Sequence, residues 1–199
     1  MHKQMVFYFK TLTFLVVLLT LQACGINTIP RLDEQVNASW AQVQNQYQRR
    51  ADLIPNLVET VKGYAKQEKD TLVQVTQARS QVAKMNVSSD IINDPAAFKQ
   101  FQQKQDALSS ALSRLMVVVE RYPDLKSNQN FLALQSQLEG TENRIAVARR
   151  DYIEAVQLYN TEIRTIPGRW YASMFYPDAK VKANFAATAA AQEAPQVKF

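Results

Sequence analysis

The side chains best suited to catalysis near neutral pH are the thiol and the imidazole, and this 199-residue chain has one of each, Cys24 and His2. Together they could supply a nucleophile and its general base. The four glycines form no phosphate-binding loop of the G-x-x-x-x-G-K or G-x-G-x-x-G type. The Glu-x-x-His pattern of di-iron helical bundles is also absent. The catalytic potential of the chain therefore depends on the fate of His2 and Cys24.

The segment before Cys24 has the layout of a cleaved signal peptide. Residues 1–10 contain two lysines and no acidic residue, and residues 11–21 form an apolar run of eleven residues. That run is too short to span a bilayer, which takes about 20 apolar residues. The run ends in Leu21-Gln22-Ala23-Cys24-Gly25, which resembles the lipobox of bacterial lipoproteins. The resemblance implies cleavage before Cys24 and attachment of lipid to its sulfur and amino group.

Cleavage would remove most of the chemistry that the full sequence offers. His2 leaves with the signal peptide and Cys24 is blocked by lipid, so the mature chain lacks the groups for Cys-His or Ser-His-Asp catalysis. Metal sites built on His or Cys are excluded for the same reason, and we expect no cofactor. Removing two of the 23 basic residues leaves 21 against 18 acidic ones, a net charge of +3. Such a small surplus predicts no nucleic-acid binding.

Apolar residues recur at alternating spacings of three and four through most of the mature chain, which predicts long amphipathic helices. The clearest run comprises Phe98, Phe101, Leu108, Leu112, Leu115 and Val119. Asn93-Asp94-Pro95 has the capping residue and first-turn proline of a helix start, and Pro167-Gly168 is a stop. The expected fold is all-α, an antiparallel four-helix bundle preceded by the cleaved signal peptide. The division is 1–23 signal peptide, 24–31 lipidated tether, 32–166 helical bundle, and 167–199 aromatic-rich segment and tail.

Pro55 leaves two interpretations of residues 32–85 open. The unbroken apolar spacing favours one helix kinked at the proline, which loses one hydrogen bond. Such a helix would be roughly 80 Å long, twice the length of 95–122, so part of its apolar stripe would face water. A reversal near residues 52–55 would solve that problem. We therefore predict four helices, near 32–52, 56–85, 95–122 and 127–165.

Two charged residues, Arg50 and Glu68, interrupt the apolar stripe of residues 36–82. They lie about 27 Å apart along a helix and cannot pair with each other. We expect each to snorkel or to meet a charge on another helix, such as Glu142 or Arg149, because buried charges in bundles usually fix register. The alternative is a ligand pocket inside the bundle.

Residues 167–177 pack four aromatic residues between two prolines. We predict a loop that caps the open end of the bundle. The alternative is a surface that contacts a partner or the membrane interface.

Three long blocks of the sequence resemble the LemA family. They are Arg49-Arg50-Ala51-Asp52-Leu53-Ile54-Pro55-Asn56-Leu57 continuing to Ala65, Tyr122-Pro123-Asp124-Leu125-Lys126 with Asn130-Phe131-Leu132, and Thr141-Glu142-Asn143-Arg144-Ile145-Ala146 continuing to Thr161. Ile153 and Ile166 depart from the family pattern. The resemblance implies a helical bundle anchored at its N-terminus, usually by a transmembrane helix that the lipobox would replace here. A relative from the magnetosome membrane suggests membrane organisation, and no catalytic residue is implied.

The sequence thus predicts a non-enzymatic scaffold or adaptor of the bacterial cell envelope, anchored at the periplasmic face of a membrane through Cys24. Gly25 after the cysteine, where an aspartate is absent, predicts the outer membrane if the organism is Gram-negative. The alternative is a ligand-binding or sensing module. A protein partner in the envelope is expected on the surface of Glu142, Asn143, Arg149 and Arg150. Residues seven apart share a helix face, and core packing gives no reason for this charged cluster.

Overall fold

A computed structural model of the protein describes residues 25–85 and 89–186, and in these ranges the regular secondary structure is helical. The helices are α1 (Thr28–Tyr64), α2 (Lys69–Ala83), α3 (Pro95–Val119), α4 (Pro123–Lys126), α5 (Gln129–Glu162) and α6 (Gly168–Phe175), with a 3-10 turn at Ser89–Asn93. The expectation of an all-α fold is confirmed. The predicted signal peptide, Cys24 and the tail beyond residue 186 lie outside the described residues.

Helices α1 and α5 form a long antiparallel pair. Trp40 contacts Tyr152, Arg50 contacts Glu142, and the Asn128 amide donates to the Tyr64 hydroxyl, so residue numbers rise along α1 while they fall along α5. The 37 residues of α1 and the 34 of α5 span roughly 55 and 50 Å. The two helices therefore cover each other over nearly their whole length.

The predicted reversal near residues 52–55 is wrong, because α1 continues through Pro55 to Tyr64. The prediction assumed that the helix at 95–122 would cover only the half after Pro55 and leave residues 32–54 without a partner. That half instead packs against the second half of α5, where Trp40 meets Tyr152. The chain reverses after Tyr64 and begins α2 at Lys69.

Pro55 stays inside α1 because the bond it removes is replaced from another helix. Proline has no N–H, so the carbonyl of Ala51, four residues earlier, loses its helical donor. The Arg79 Nε of α2 donates to that carbonyl at 2.9 Å. The Pro55 ring itself is exposed, while Ile54 and Leu57 on either side are fully buried. The helix thus keeps its apolar face and has no unsatisfied carbonyl at this site.

The interior consists of two clusters of different composition. The first, here the aliphatic core, lies between α1, α2, α3 and α5 and is built mainly of Leu, Val and Ile side chains. Its most buried members are Ile54, Leu57, Val61, Val75, Leu108, Leu115 and Leu125. The second, here the aromatic core, lies between the other halves of α1 and α5 and the start of α3. Its rings are those of Trp40, Tyr47, Phe98, Phe101, Tyr152 and Tyr159.

An extended segment, residues 176–186, runs beside the aromatic core and is here called the C-terminal strap. Its backbone is not paired in a helix or strand, so side chains satisfy several of its groups, and the Ala183 N–H donates to the Ile92 carbonyl at 2.7 Å. The Tyr152 hydroxyl donates to the carbonyl of Ala183 at 2.7 Å, and the Asn160 amide pairs with both the N–H and the carbonyl of Lys182. The Gln102 amide donates to the carbonyl of Ala186 at 2.7 Å. The strap is thereby held against both α3 and α5.

The start of α3 is as the sequence predicts. The Asp94 carboxylate accepts from the backbone N–H groups of Ala96 and Ala97, at 2.8 and 3.1 Å, with Pro95 as the first helical residue.

The prediction of a capping loop at residues 167–177 is wrong in its conformation, because most of this segment is helix α6. Gly168 begins α6 where the chain passes close to the end of α5. A Cβ atom there would clash with the Glu162 carbonyl oxygen. The small Gly168 and Ala172 form the buried face of the helix, so α6 can lie close to the end of α5.

Candidate functional site

Arg50 connects three helices at the point where the two cores meet. It is 1% exposed, and its Nη1 donates to the Ser109 hydroxyl and the Glu142 carboxylate, both at 2.8 Å. Its Nη2 donates to the side-chain and backbone oxygens of Gln105, and the guanidinium lies 5.0 Å from the Tyr47 ring centre. The expected pairing of Arg50 with Glu142 is confirmed. These contacts set the relative register of α1, α3 and α5.

Burial raises the pKa of the Tyr47 hydroxyl, and the positive charges of Arg149 and Arg50 oppose that rise. Tyr47 is therefore neutral at physiological pH, and its ring packs beside the guanidinium of Arg50. Of the three guanidinium nitrogens of Arg50, only Nε has no hydrogen-bond partner. The guanidinium thus has little donor capacity left for a ligand.

Glu68 forms a second polar contact at the other end of the aliphatic core. Its carboxylate accepts from the Arg121 guanidinium at 3.0 Å and from the Tyr122 hydroxyl at 2.9 Å. These bonds connect the start of α2 to the end of α3. Glu68 pairs with a charged residue of another element, as expected, but this residue is Arg121 and not Arg149.

The four residues of the predicted partner surface divide into two kinds. Glu142 turns toward Arg50, and the Arg149 guanidinium lies 4.2 Å from the ring centre of Phe185 in the strap. Arg150 and Asn143 point outward; the side chain of Arg150 is 73% exposed and pairs with its neighbour Asp151. Half of this surface therefore holds the protein's own elements together, and Asn143 and Arg150 remain as candidates for contact with a partner.

A groove of about 550 Å³ runs between α3 and α5 beside the Arg50 contacts. Leu112, Met116 and Leu138 form its apolar floor, and its polar rim comprises Ser109, Ser113, Gln135, Glu139, Glu142 and Asn143. A mixed lining of this kind is typical of small-molecule sites. The groove is open along its side, and the two lining residues that contact Arg50, Ser109 and Glu142, both already accept a hydrogen bond from it.

Across residues 25–85 and 89–186, no three His, Cys, Asp or Glu side chains come together in a way that could hold a metal ion. In the same ranges, no helix combines the length and apolar character that a membrane span requires.

Sequence reasoning missed the residues that hold the strap. Lys182 is buried and its Nζ lies 2.7 Å from Asp33 on α1 and 5.3 Å from the Tyr159 ring centre. Burial, reinforced by the charge of Asp33, raises the pKa of Tyr159 to about 12. The strap has no helical periodicity, so only the isolated aromatic Phe185 could have marked it as a packed segment.

One family model matches most of the chain. The family model described as "LemA family" matches residues 39–199. That range includes every helix from the middle of α1 onward, together with Arg50, the groove and the strap.

Named relatives are similar at low identity. Magnetosome proteins MamQ 1 and MamQ 2 of Paramagnetospirillum magneticum are each 27% identical over 162 residues, covering 73% of this chain and 60% of the relative. Protein LemA of Metamycoplasma hominis is 24% identical over 139 residues, covering 70% of this chain and 59% of the relative. The chain spans about three fifths of the length of these relatives. None of these names denotes an enzyme.

Proposed function

The chain belongs to the LemA family, and from that premise we propose that it is a lipid-anchored helical-bundle protein of the bacterial cell envelope that serves as a non-enzymatic scaffold or adaptor. Cys24 would carry the lipid, and the helical body would extend from the membrane into the periplasm. In a Gram-negative organism the outer membrane is the expected site. A protein partner in the envelope would bind the outward face of α5.

The observation that carries this proposal is that the two charged residues of the apolar stripe at residues 36–82 are both paired within the described body. Arg50 and Glu68, the two residues that could have marked a ligand site, bind side chains of the protein itself. Charged side chains that pair within the protein fix the register of its helices, and their charge is no longer available to bind a substrate. A long body with fixed register suits a protein that holds partners at a distance from a membrane.

The name of the magnetosome relatives adds an analogy. Proteins 24–27% identical to this chain are described as magnetosome proteins. Their similarity to this chain supports a role in organising a membrane or its proteins, and it identifies no partner.

The anchor is tested by metabolic labelling. Labelled palmitate should enter the wild-type protein and not Cys24→Ser, which should also keep its signal peptide. Membrane-bound protein that retains an intact Met1 N-terminus would contradict the proposal. Fractionation of the two membranes tests the expected outer-membrane location.

The scaffold role is tested by crosslinking in cells and recovery of partners. Arg150→Glu should reduce recovery while Arg114→Glu, at an exposed arginine of α3 that forms no ion pair within the described ranges, should not. Equal recovery with both variants would place the partner surface away from α5.

The groove between α3 and α5 supports a second candidate, the binding of a small ligand. Its volume lies within the usual range of about 300–1,000 Å³ for such sites. Ser113→Phe would fill the groove from its exposed rim. A compound from an envelope extract that raises the melting temperature of wild type but not of Ser113→Phe would favour this function over the scaffold.

A further inference from the structure

Large apolar side chains are exposed in unusual density around helix α6. Ile166 is 65% exposed, Trp170 62%, Met174 76% and Phe175 51%, all within ten residues. Elsewhere in the described ranges, exposed large apolar side chains are scattered along the helices and the strap. These four residues are here called the apolar patch. A cluster of this kind on an otherwise polar body indicates contact with a partner or a membrane.

The exposure of the patch follows from the way α6 packs. Gly168 and Ala172 are buried and form the inner face of the helix. Trp170 and Met174 are four residues apart and lie together on the outer face of α6, and Ile166 is exposed in the turn that precedes the helix. The inner face of α6 packs against the body, so the side chains on the outer face point away from the core and remain exposed.

The patch lies at the end of the molecule from which the chain leads to Cys24. Gly25 packs directly on Tyr171 of α6, so closely that a Cβ atom on Gly25 would lie 2.8 Å from the Tyr171 ring. Gly25 directly follows Cys24 in the sequence. A lipid on Cys24 would therefore hold α6 close to the bilayer surface.

The charge around the patch suits an anionic membrane. Arg164 and Arg169 are exposed, and neither guanidinium forms an ion pair within the described ranges. Residues 163–176 contain no acidic side chain. Each basic residue near an anionic surface contributes about 1 kcal/mol, and tryptophan prefers the headgroup level of the bilayer.

From this placement we propose that the apolar patch is a second membrane contact, which inserts Trp170 and Met174 into the headgroup boundary of an anionic phospholipid surface beside the lipid on Cys24. The inference rests on the proposed lipid anchor. An acyl anchor alone leaves the body free to swivel. Two adjacent contacts would fix its orientation, so that the polar faces of the helices are presented at defined distances from the membrane.

The chain provides its own probe, because it has two tryptophans in opposite environments. Trp40 is 1% exposed in the aromatic core and Trp170 is 62% exposed in the patch. The full-length protein, purified from membranes, is reconstituted into vesicles of equal parts phosphatidylcholine and phosphatidylglycerol, with or without bromine in the acyl chains. Bromine should quench most of the Trp170 emission, measured as the difference between wild type and Trp170→Phe. The Trp40 emission of Trp170→Phe should be unchanged.

Two variants of equal exposure separate docking from general hydrophobicity. Met174→Glu, in the patch, should abolish most of the quenching of Trp170. Val117→Glu, at a position 72% exposed in the last turn of α3 at the opposite end of the body, should leave quenching at the wild-type level. Vesicles of phosphatidylcholine alone should give weaker quenching, because the two arginines would then have no anionic headgroups to attract them.

The outcomes distinguish this inference from the anchor on which it rests. Protein that carries lipid on Cys24 by mass spectrometry and floats with the vesicles, yet shows no quenching of Trp170, would overturn the docking surface and leave the anchor intact. Crosslinks from the patch to a protein in place of lipid quenching would also overturn it. Absence of lipid on Cys24 would overturn the proposed function itself.

Discussion

Between α3 and α5 the molecule is filled at one end and open at the other. Beside the aromatic core the strap lies in this gap, with Phe185 contacting Phe98 of α3 and Tyr152 of α5. Beside the aliphatic core the same gap is the open groove of about 550 Å³. There, helix α2 supplies the additional packing on the other side, against α1 and α3.

The difference shows how an irregular segment can substitute for a helix. An extended chain buries fewer side chains per unit length than a helix, so large rings must fill the space around it. It also brings backbone groups that need partners, which Tyr152, Asn160 and Gln102 provide. The stability of the aromatic core therefore depends on a few large rings and polar side chains, whereas that of the aliphatic core is the sum of many small apolar contacts.

The largest expected effect of a single substitution follows from this dependence. Trp40→Ala removes the ring that contacts Phe98, Phe101, Tyr152 and Phe185 at once. We expect a loss of about 3–5 kcal/mol in the free energy of unfolding, measured by urea denaturation. Trp40→Ala should also lower the near-UV circular dichroism, which reports the packing of aromatic rings. Leu115→Ala in the aliphatic core should lower the free energy of unfolding by about 2–5 kcal/mol and leave the near-UV signal unchanged. A similar loss of that signal in both variants would contradict the separation of the cores.

Arg50→Ala tests the boundary between the cores. It breaks an ion pair whose arginine is buried and whose glutamate is half-exposed, and it leaves Gln105 and Ser109 without their donor. We expect a cost of about 3 kcal/mol, near the lower end for such pairs, because Glu142 can still reach water. Glu142→Gln should cost less than half as much. If the two substitutions cost the same, Glu142 would be the main partner of Arg50.

Alkaline pH should act first on the aromatic core. Burial raises the pKa of Tyr159 to about 12 and that of Tyr152 still higher. Above pH 10 these hydroxyls stay protonated in the folded state but ionise on unfolding, so the free energy of unfolding falls as the pH rises. Each tyrosine contributes at most about 1.4 kcal/mol per pH unit. Denaturation curves between pH 9 and 12 should show this decline, and Tyr152→Phe should make it shallower.

Phe185→Ala should open the gap between α3 and α5 along its full length and lower the free energy of unfolding by less than Trp40→Ala or Arg50→Ala. The ring is only partly buried, so we expect about 1–2 kcal/mol, below the range for a fully buried phenylalanine. Hydrogen exchange should rise in residues 179–186 and remain unchanged in α2. Exchange that rises equally in both segments would mean that the strap also supports the aliphatic core.

The smallest expected effect distinguishes the two arginines of the predicted partner surface. Arg149→Glu removes the contact with Phe185 and should cost about 0.5–1 kcal/mol. Arg150→Glu should change the melting temperature little, because exposed ion pairs contribute roughly 0–1 kcal/mol. Thermal melts of both variants, with Arg114→Glu as a control at an exposed arginine of α3 that is unpaired within the described ranges, check this order. A larger loss for Arg150→Glu would assign that residue to the fold.

The apolar spacing of three and four predicted the all-α fold, and the capping residue and proline at Asp94-Pro95 predicted the start of α3. These features are local or follow from helical periodicity, which each segment carries in its own residues. The sequence named Glu142 only as one of two candidate partners for Arg50, and the structure selects it. The lipid on Cys24 and the partner surface remain predictions.

Only the tertiary structure decided the course of the chain at Pro55 and at the strap. A proline is tolerated inside α1 because Arg79, 28 residues later, donates to the carbonyl that Pro55 leaves free, and no local pattern predicts that contact. The strap likewise packs through single contacts from distant helices, such as Tyr152 to Ala183. Periodicity in the sequence reports which face of a helix is buried, but the identity of the element that covers this face depends on contacts between residues far apart in the chain.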